Sequence, residues 1–265
     1  MPFLPQYQDV STEQRPRSYK ISGKTYARVS TALGVINKPA IGPWMVRMAG
    51  EKLREHMLDE AVRSEIAAVA TESPQMYAAF VDKLVDSVRA APNVERDERA
   101  ERGTGIHEEV HAWLIGDLDG DELIGPAGGA VSFLCDWKIT VLASELVVWD
   151  DENAVAGTLD GVGTLPDGSL VVWDWKTGSG PWWEMALQLG AYGHMYGELS
   201  GRGVDRLFII KLMEEEYAVH EVEDKTAAWE GYLQALALHR SSKVKRFTEL
   251  DIFDTEAPDE PHTLS

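Results

Sequence analysis

Two carboxylates and a lysine carry the strongest chemical signal in the chain. Asp160 lies in Gly157-Thr-Leu-Asp-Gly161, and Asp174 and Lys176 lie in Val172-Trp-Asp-Trp-Lys-Thr-Gly178. Between them, Pro166-Asp-Gly168 suits a three-residue hairpin loop, with Pro166 presetting φ and Gly168 taking the left-handed position. Leu165 then pairs with Ser169, and following the strands away from the turn sets Asp160 opposite Asp174 and Thr158 opposite Lys176. Residues two apart in a strand share a face, so both carboxylates and the ammonium point the same way. Opposed Cβ atoms sit about 5 Å apart, a distance at which like charges weaken a sheet. A divalent cation held between the carboxylates explains the arrangement, and hard oxygen ligands suit Mg²⁺ or Mn²⁺ rather than zinc. Lys176 would then orient or activate a water, or neutralise charge developing on a phosphate. The plainer alternative, a lysine neutralising two acids on a wet sheet face, fits poorly beside Val171, Val172, Trp173 and Trp175, which read as a buried strand.

Three other signals compete. His107-Glu108-Glu109-Val110-His111 matches His-Glu-x-x-His, which on a helix sets two histidines one turn apart for zinc and offers Glu108 as a general base, the arrangement of a metallopeptidase. Against it, Glu109 places charge between the ligands, no third ligand follows at a recognisable spacing, and the Asp160/Asp174/Lys176 group is left unexplained. Asp117-Leu-Asp-Gly-Asp121 begins like a calcium loop, but Glu122 occupies the sixth position where glycine is required and Gly128 the twelfth where glutamate is required. Trp182 and Trp183 are of a type that stacks on unpaired bases, although the default expectation is that they belong to the core.

The elements that position these residues can be read from periodicity and turn chemistry. Tyr19–Val29 reads as a hairpin about Gly23-Lys24, Ser30 caps a short helix ending near Asn37, and Pro43 opens a helix through about Glu60. Helical patterns follow over about 64–91 and 94–116, with Pro92 between them, and over about 126–143. The period then changes to two. Strands are expected at 145–150, 154–165, 169–176, 206–213 and 217–222, with helices at 183–199 and 226–241. From Val94 onward the order is helix, three strands, helix, strand: a mixed α/β core behind a mostly helical N-terminal portion. The expected division is 1–92 for that portion, 93–246 for the core and 247–265 for an acidic tail.

The 265 residues, 44% of them hydrophobic, are enough for a large core without staples. Cys135, the single cysteine, excludes an internal disulfide framework and a four-cysteine cluster. The start carries no basic-then-apolar leader, and no apolar run approaches the ~20 residues of a membrane span, so a cytoplasmic protein without membrane partners is expected. The net charge of −19 argues against a nucleic-acid binder. The distribution softens this. Residues 11–54 hold nine Lys/Arg against two Asp/Glu, Arg240, Lys243, Lys245 and Arg246 close the last helix, and residues 247–265 hold six acids and no base.

Taken together, Asp160 in Gly-Thr-Leu-Asp-Gly, Asp174-Trp-Lys176-Thr-Gly, Gln188-Leu-Gly-Ala-Tyr192 and Arg102-Gly-Thr-Gly-Ile-His107 resemble the PD-(D/E)xK nuclease core of the RecB-like type over about Val94 to Val222. The resemblance implies a restriction-endonuclease-like α/β core and metal-dependent hydrolysis of DNA phosphodiesters. It implies Asp160, Asp174, His107 and the Trp175 carbonyl as metal ligands for one or two Mg²⁺ or Mn²⁺ ions, and Lys176 as the catalytic lysine. Gln188 and Tyr192 would contact the DNA backbone or support the lysine, and Glu145, at the start of the first core strand, would serve a second metal or a water. Many relatives carry an iron–sulfur cluster on four cysteines, which this chain lacks. Tyr26-Ala-Arg-Val-Ser-Thr31 and Pro43-Trp44 are similar to bacteriophage-encoded nucleases of this type. With the local positive charge, they make Arg28, Ser30, Lys38, Trp44 and Arg47 candidates for a DNA-facing surface. The implied partner is DNA, at ends or as single strands; a homo-oligomer or a recombination partner is left open. A catalytically silent DNA-binding module on the same fold would show a damaged metal cluster, and none of its members is missing.

Overall fold

The computed structural model describes residues 11–242 apart from 37, 179 and 215. Lys243, Lys245, Arg246 and the acidic stretch 247–265 lie outside the described residues. The chain opens with β1 (Thr12–Arg15), β2 (Ser18–Ile21) and β3 (Lys24–Arg28), an antiparallel meander whose second turn passes through Ser22 and Gly23, both at positive φ. Helix α1 (Val29–Leu33) follows directly, with Arg28 rather than Ser30 at its N-cap, and ends four residues before Asn37. Helices α2 (Ile41–Leu58) and α3 (Glu60–Glu72) come next. Asp59 caps α3 by accepting from the Ala61 and Val62 amides at 2.8 and 3.3 Å.

Helix α4 (Pro74–Ile115) is the largest departure from expectation. Ser73 caps it, accepting from Met76 N at 3.1 Å with Pro74 at the first position, so the pattern expected as one helix over 64–91 is divided at Ser73. The helix then runs through Pro92, where a break was expected. A mid-helix proline loses one backbone bond and costs about 3 kcal/mol. Here Pro92 is one of two buried residues of α4, the other being Val110, so its ring is packed where it interrupts the ladder. Gly116 ends the helix in the left-handed conformation (φ 87°).

After a short 3₁₀ turn (Gly120–Glu122) comes α5 (Pro126–Asp136). It stops well before residue 143 because Lys138 takes φ 50° and the β-branched run Ile139-Thr140-Val141 enters a strand. The remaining elements are β4 (Thr140–Asp150), β5 (Val155–Thr164), β6 (Leu170–Lys176), α6 (Trp183–Ser200), β7 (Arg206–Leu212), β8 (Tyr217–Glu221) and α7 (Lys225–Ser241).

Eight strands form one mixed sheet in the order β1-β2-β3-β5-β6-β7-β8, with β4 paired to β5. Strand alternation divides the core into two layers. Leu170, Val172, Leu207 and Ile209 face α1, α6 and α7, while Val171, Trp173, Trp175, Phe208 and Ile210 face α5 and the end of α4. Burying a large side chain of this kind contributes about 2–3 kcal/mol. Helix α6 lies close on the sheet because it carries glycine at the contacts. A Cβ at Gly193 would come within 2.6 Å of Leu207 Cδ2, and one at Gly190 within 2.7 Å of the Ala228 Cβ on α7. The result is the mixed α/β sheet flanked by helices that the pattern called for. Among the described residues, no helix is long and apolar enough to cross a membrane.

Candidate active site

The β5–β6 hairpin closes as its sequence dictates. Leu165 N donates to Ser169 O and Gly168 N to Leu165 O, both at 2.9 Å, Gly168 has φ 86°, and the Asp167 carboxylate accepts from Ser169 N. Pairing proceeds from Thr164↔Leu170 to Gly161↔Trp173 in the expected register. There it stops. The expected ladder through Asp160 and Asp174 is absent, because the Asp160 side chain accepts the Trp175 N–H through Oδ2 at 2.7 Å in place of a backbone carbonyl. One edge of β5 pairs with β4 along its length. The other is shared by β3, in parallel at Val155 and Ala156, and by β6 from Gly161 onward. Residues 157–160 line the fork between β3 and β6, and Asp160 stands where it opens.

Three elements converge there. The helical turn of α4 before Val110 brings His107, whose Nδ1 lies 3.4 Å from Asp160 Oδ1 and 3.7 Å from Glu145 Oε1. Glu145 sits in the middle of β4, not at the start of the strand, and has φ 50°, a left-handed backbone that side-chain-bearing residues adopt at a cost. One ligand atom each from His107, Glu145 and Asp160 falls within 4.8 Å of the others. From β6, Asp174 and Lys176 share the α6 face of the sheet and form a close ion pair through Asp174 Oδ2. Asp174 is 2% exposed and Asp160 7%, so both carboxylates are withdrawn from bulk water.

Burial leaves these groups dependent on one another. It pushes the Asp174 carboxyl up to about 6, with the nearby Asp160 charge adding and Lys176 opposing. It disfavours the Lys176 ammonium too, yet the two carboxylates outweigh that and hold the lysine above its ordinary value. For His107 burial again opposes charge, but its close contacts with Asp160 and Glu145 and the field of Asp160 and Asp174 raise it to about 10. Asp174 Oδ2 is buried, with the Lys176 ammonium as its ion partner. One histidine nitrogen and two carboxylates whose ligand atoms lie within 4.8 Å of one another, with a further buried carboxylate on β6 and mostly hard oxygen donors, fit a divalent cation.

The supporting residues are layered behind the cluster. Tyr192 is buried and accepts from Gln188 Nε2 at 3.0 Å; burial holds its phenol well above the usual range, with Asp174 and Asp160 contributing. The Tyr192 ring packs against β5 at Gly157, where a Cβ would come within 2.4 Å of its Cε1. The Trp175 indole belongs to the α5-side core, packed edge-on to Phe133 and Trp173. His111 turns away from His107 and bonds through Nδ1 to Ser144 Oγ at 2.7 Å, so the two histidines of the His-Glu-x-x-His motif serve different partners. The Ser144 contact and the Tyr19–Thr158 hydroxyl pair at 2.9 Å carry no signal in the sequence, since each spans separate elements, and the Trp175 amide carries none because a side chain replaces the backbone partner that strand pairing predicts.

The N-terminal candidates lie on β3, α1, α2 and the segment before α2. Arg28 donates to Arg15 O and lies over the Tyr19 ring, Ser30 is exposed on α1, Trp44 lies under Arg99, and Arg47 pairs with Glu51. Lys38 reaches toward the site's surroundings, bonding the buried Glu184 of α6 at 3.2 Å. Trp182 and Trp183 depart from the expected core placement, being 46% and 61% exposed.

A forked mixed sheet thus presents two buried carboxylates, a lysine two residues after the second, and a histidine–glutamate pair, an arrangement able to hold a divalent cation beside an ammonium. The chain belongs to the PD-(D/E)XK nuclease superfamily, whose family model matches residues 44–250. Members of this superfamily are nucleases that cleave phosphodiester bonds with divalent metal ions. A search of curated proteins finds no match to the sequence.

Proposed function

We propose that the protein is a RecB-like DNA exonuclease, without an iron–sulfur cluster, that uses one or two Mg²⁺ or Mn²⁺ ions to degrade DNA from ends or as single strands. The observation that carries this reading is the juxtaposition of the His107/Glu145/Asp160 group with the Asp174–Lys176 pair at the β5–β6 fork. His107, Glu145, Asp160 and Asp174, with the Trp175 carbonyl, would hold the cation. When bound, it supplies Lewis acidity toward a phosphoryl oxygen and an attacking water. Lys176, held as an ammonium between carboxylates, orients the nucleophile and offsets charge developing on the phosphate. Gln188 and Tyr192 fix the floor against which Asp174 and Lys176 are held. Arg28, Ser30, Lys38, Trp44 and Arg47 form the candidate DNA-facing surface of the N-terminal portion, 1–92, ahead of the nuclease core, 93–246. The resemblance of that portion to bacteriophage nucleases supports a phage-encoded enzyme of DNA processing, acting in the host cytoplasm.

The test is degradation of end-labelled linear and circular DNA, single- and double-stranded, with Mg²⁺, Mn²⁺, Zn²⁺ or EDTA, for the wild type and Asp174→Ala. Mg²⁺- or Mn²⁺-dependent loss of linear substrate, absent in the variant, is the expected result. Cleavage of circles at the same rate would make the enzyme an endonuclease. Zinc bound stoichiometrically with no cleavage under any metal would overturn the assignment.

A further inference from the structure

Of the nine tryptophans, seven are buried or half-buried; Trp182 and Trp183 are exposed, side by side, six and seven residues after Lys176. Neither indole has a ring or cation partner among the described residues. Helix physics does not explain them either. Trp182 is the N-cap of α6, a position favoured by Ser, Thr, Asp and Asn because their oxygens accept from the first turn, and an indole has no acceptor to offer. The local bonds are made by its backbone: Trp182 O accepts from Met185 N at 2.9 Å and Trp182 N donates to Met185 Sδ at 3.5 Å.

The pair is rigidly placed. Immediately after it, Glu184 is buried and bonded to Lys38, and the following turns of α6 are packed into the core through Leu187, Leu189 and Tyr192. Tyr192 packs against Gly157, three residues before Asp160 on β5, and Trp183 lies nine residues toward the start of the same helix, about 13 Å along its axis. The indoles thus stand at the start of a packed helix, within reach of nucleotides flanking a phosphate held at the acidic cluster.

Charge points to the same use. The chain carries −19 overall, and Lys38, the cation placed beside the pair, is engaged with Glu184. Phosphate contacts are therefore opposed by the charge of the whole chain. Stacking on a flat, neutral π-face is a source of affinity that this charge does not oppose, and it requires bases freed from the duplex.

We propose that Trp182 and Trp183 form a stacking platform for unpaired nucleobases beside the active site and give the enzyme its hold on single-stranded DNA. This deepens the nuclease reading and rests on it. The test is steady-state cleavage of a short oligothymidylate and of the same strand with abasic sugars, by the wild type, the Trp182→Ala/Trp183→Ala double variant and the double Phe variant. The expected result is a KM for oligothymidylate raised about 5- to 100-fold by alanine and largely restored by phenylalanine. On the abasic strand the wild type should already bind as weakly, with alanine adding nothing. An unchanged KM in the alanine variant overturns the platform while the nuclease stands, and leaves the indoles to a protein partner. If the wild type cleaves no DNA, the nuclease reading fails separately. Anisotropy of labelled oligothymidylate then decides the platform, with weaker binding in the alanine variant supporting it and equal binding overturning it.

Discussion

The two halves of β5 use the same strand in opposite ways. From Gly161 to Thr164 it is zipped to β6 on one edge and β4 on the other, and glycines let its neighbours close in. A Cβ at Gly163 would meet Ile139 Cγ2 and Thr140 O, each at 2.7 Å. From Gly157 to Asp160 the edge toward β6 is open, and the Asp160 carboxylate takes a hydrogen bond that a ladder would have given to backbone. The zipped half is optimised for packing. The forked half accumulates buried negative charge, which works against folding and is worth keeping only for what it binds. Stability and chemistry are thus separated along about ten residues of one strand, and substitutions at the two ends should fail in different assays.

The largest effect belongs to the fork. Lys176→Ala should lower kcat by about 10²- to 10³-fold or more, the scale of removing one preorganised charge donor. Metal and DNA binding should stay measurable by calorimetry and anisotropy; equal loss of binding would make the lysine a structural counter-ion to Asp174. The zipped end should behave in reverse. Gly163→Ala has no room beside Thr140 backbone and should cost about 2–3 kcal/mol in urea unfolding. Its kcat per folded molecule should be unchanged. A large kcat defect at Gly163 would mean that the two halves are mechanically one.

The zipped half was legible in the sequence and the forked half only in part, for a physical reason. Pro166-Asp-Gly168 determines a turn by local chemistry, and period-two alternation then sets the register, so the pairing to Gly161↔Trp173 follows from adjacent residues. The same counting carried Asp160 and Asp174 to the correct place on neighbouring strands, but it also extended the ladder through them. What ends the ladder is a side chain competing with backbone for the Trp175 amide and β3 arriving from more than a hundred residues away. Neither is a local signal. Pro92 misled in the same way, since its local preference is overridden by burial in α4. The exposure of Trp182 and Trp183 was hidden because residue type alone favours the core for an indole. Glu145 was placed at a strand end because no glycine or asparagine marks its positive φ.

A smaller effect, of a few degrees, separates the halves by pH. Asp174, raised from 3.8 to about 6, binds its proton more tightly folded than unfolded. Stability in EDTA is therefore lost as pH rises from about 4 through 6. His107, raised from 6.5 to about 10, has the same sign; its contribution is full below 6.5 and is lost as pH rises toward 10. Both slopes run downward with pH, so Tm in EDTA should fall between pH 5 and 9. Adding Mn²⁺ should raise Tm more at pH 8 than at pH 6, since the cation replaces those protons. Asp174→Asn should flatten the lower part of the curve and Gly163→Ala should shift it without changing its slope. A Tm that rises with pH in EDTA would contradict the assignment of the cluster as a proton reservoir.

The smallest effect isolates the backbone of Glu145. Its φ of 50° lies within a strand, in a region that disfavours any residue with a Cβ by roughly 1–2 kcal/mol. The neighbouring ladder pairs, Ser144↔Gly161 and Leu146↔Leu159, bracket the position opposite Asp160. A regular strand would have taken Glu145 along with its neighbours, whereas the left-handed twist accompanies a carboxylate 3.7 Å from His107. Glu145→Ala removes the carboxylate and keeps the strain; Glu145→Gly removes both. Each should weaken metal-dependent cleavage to a similar extent, because each deletes the same ligand. The glycine variant should nonetheless be more stable than the alanine variant by about 1 kcal/mol in EDTA, glycine's greater chain entropy offsetting part of the relief. Equal stabilities would mean that β4 relaxes to an ordinary strand once the carboxylate is gone. The strain would then be imposed by the side chain's contacts at the fork and not by the register of the sheet.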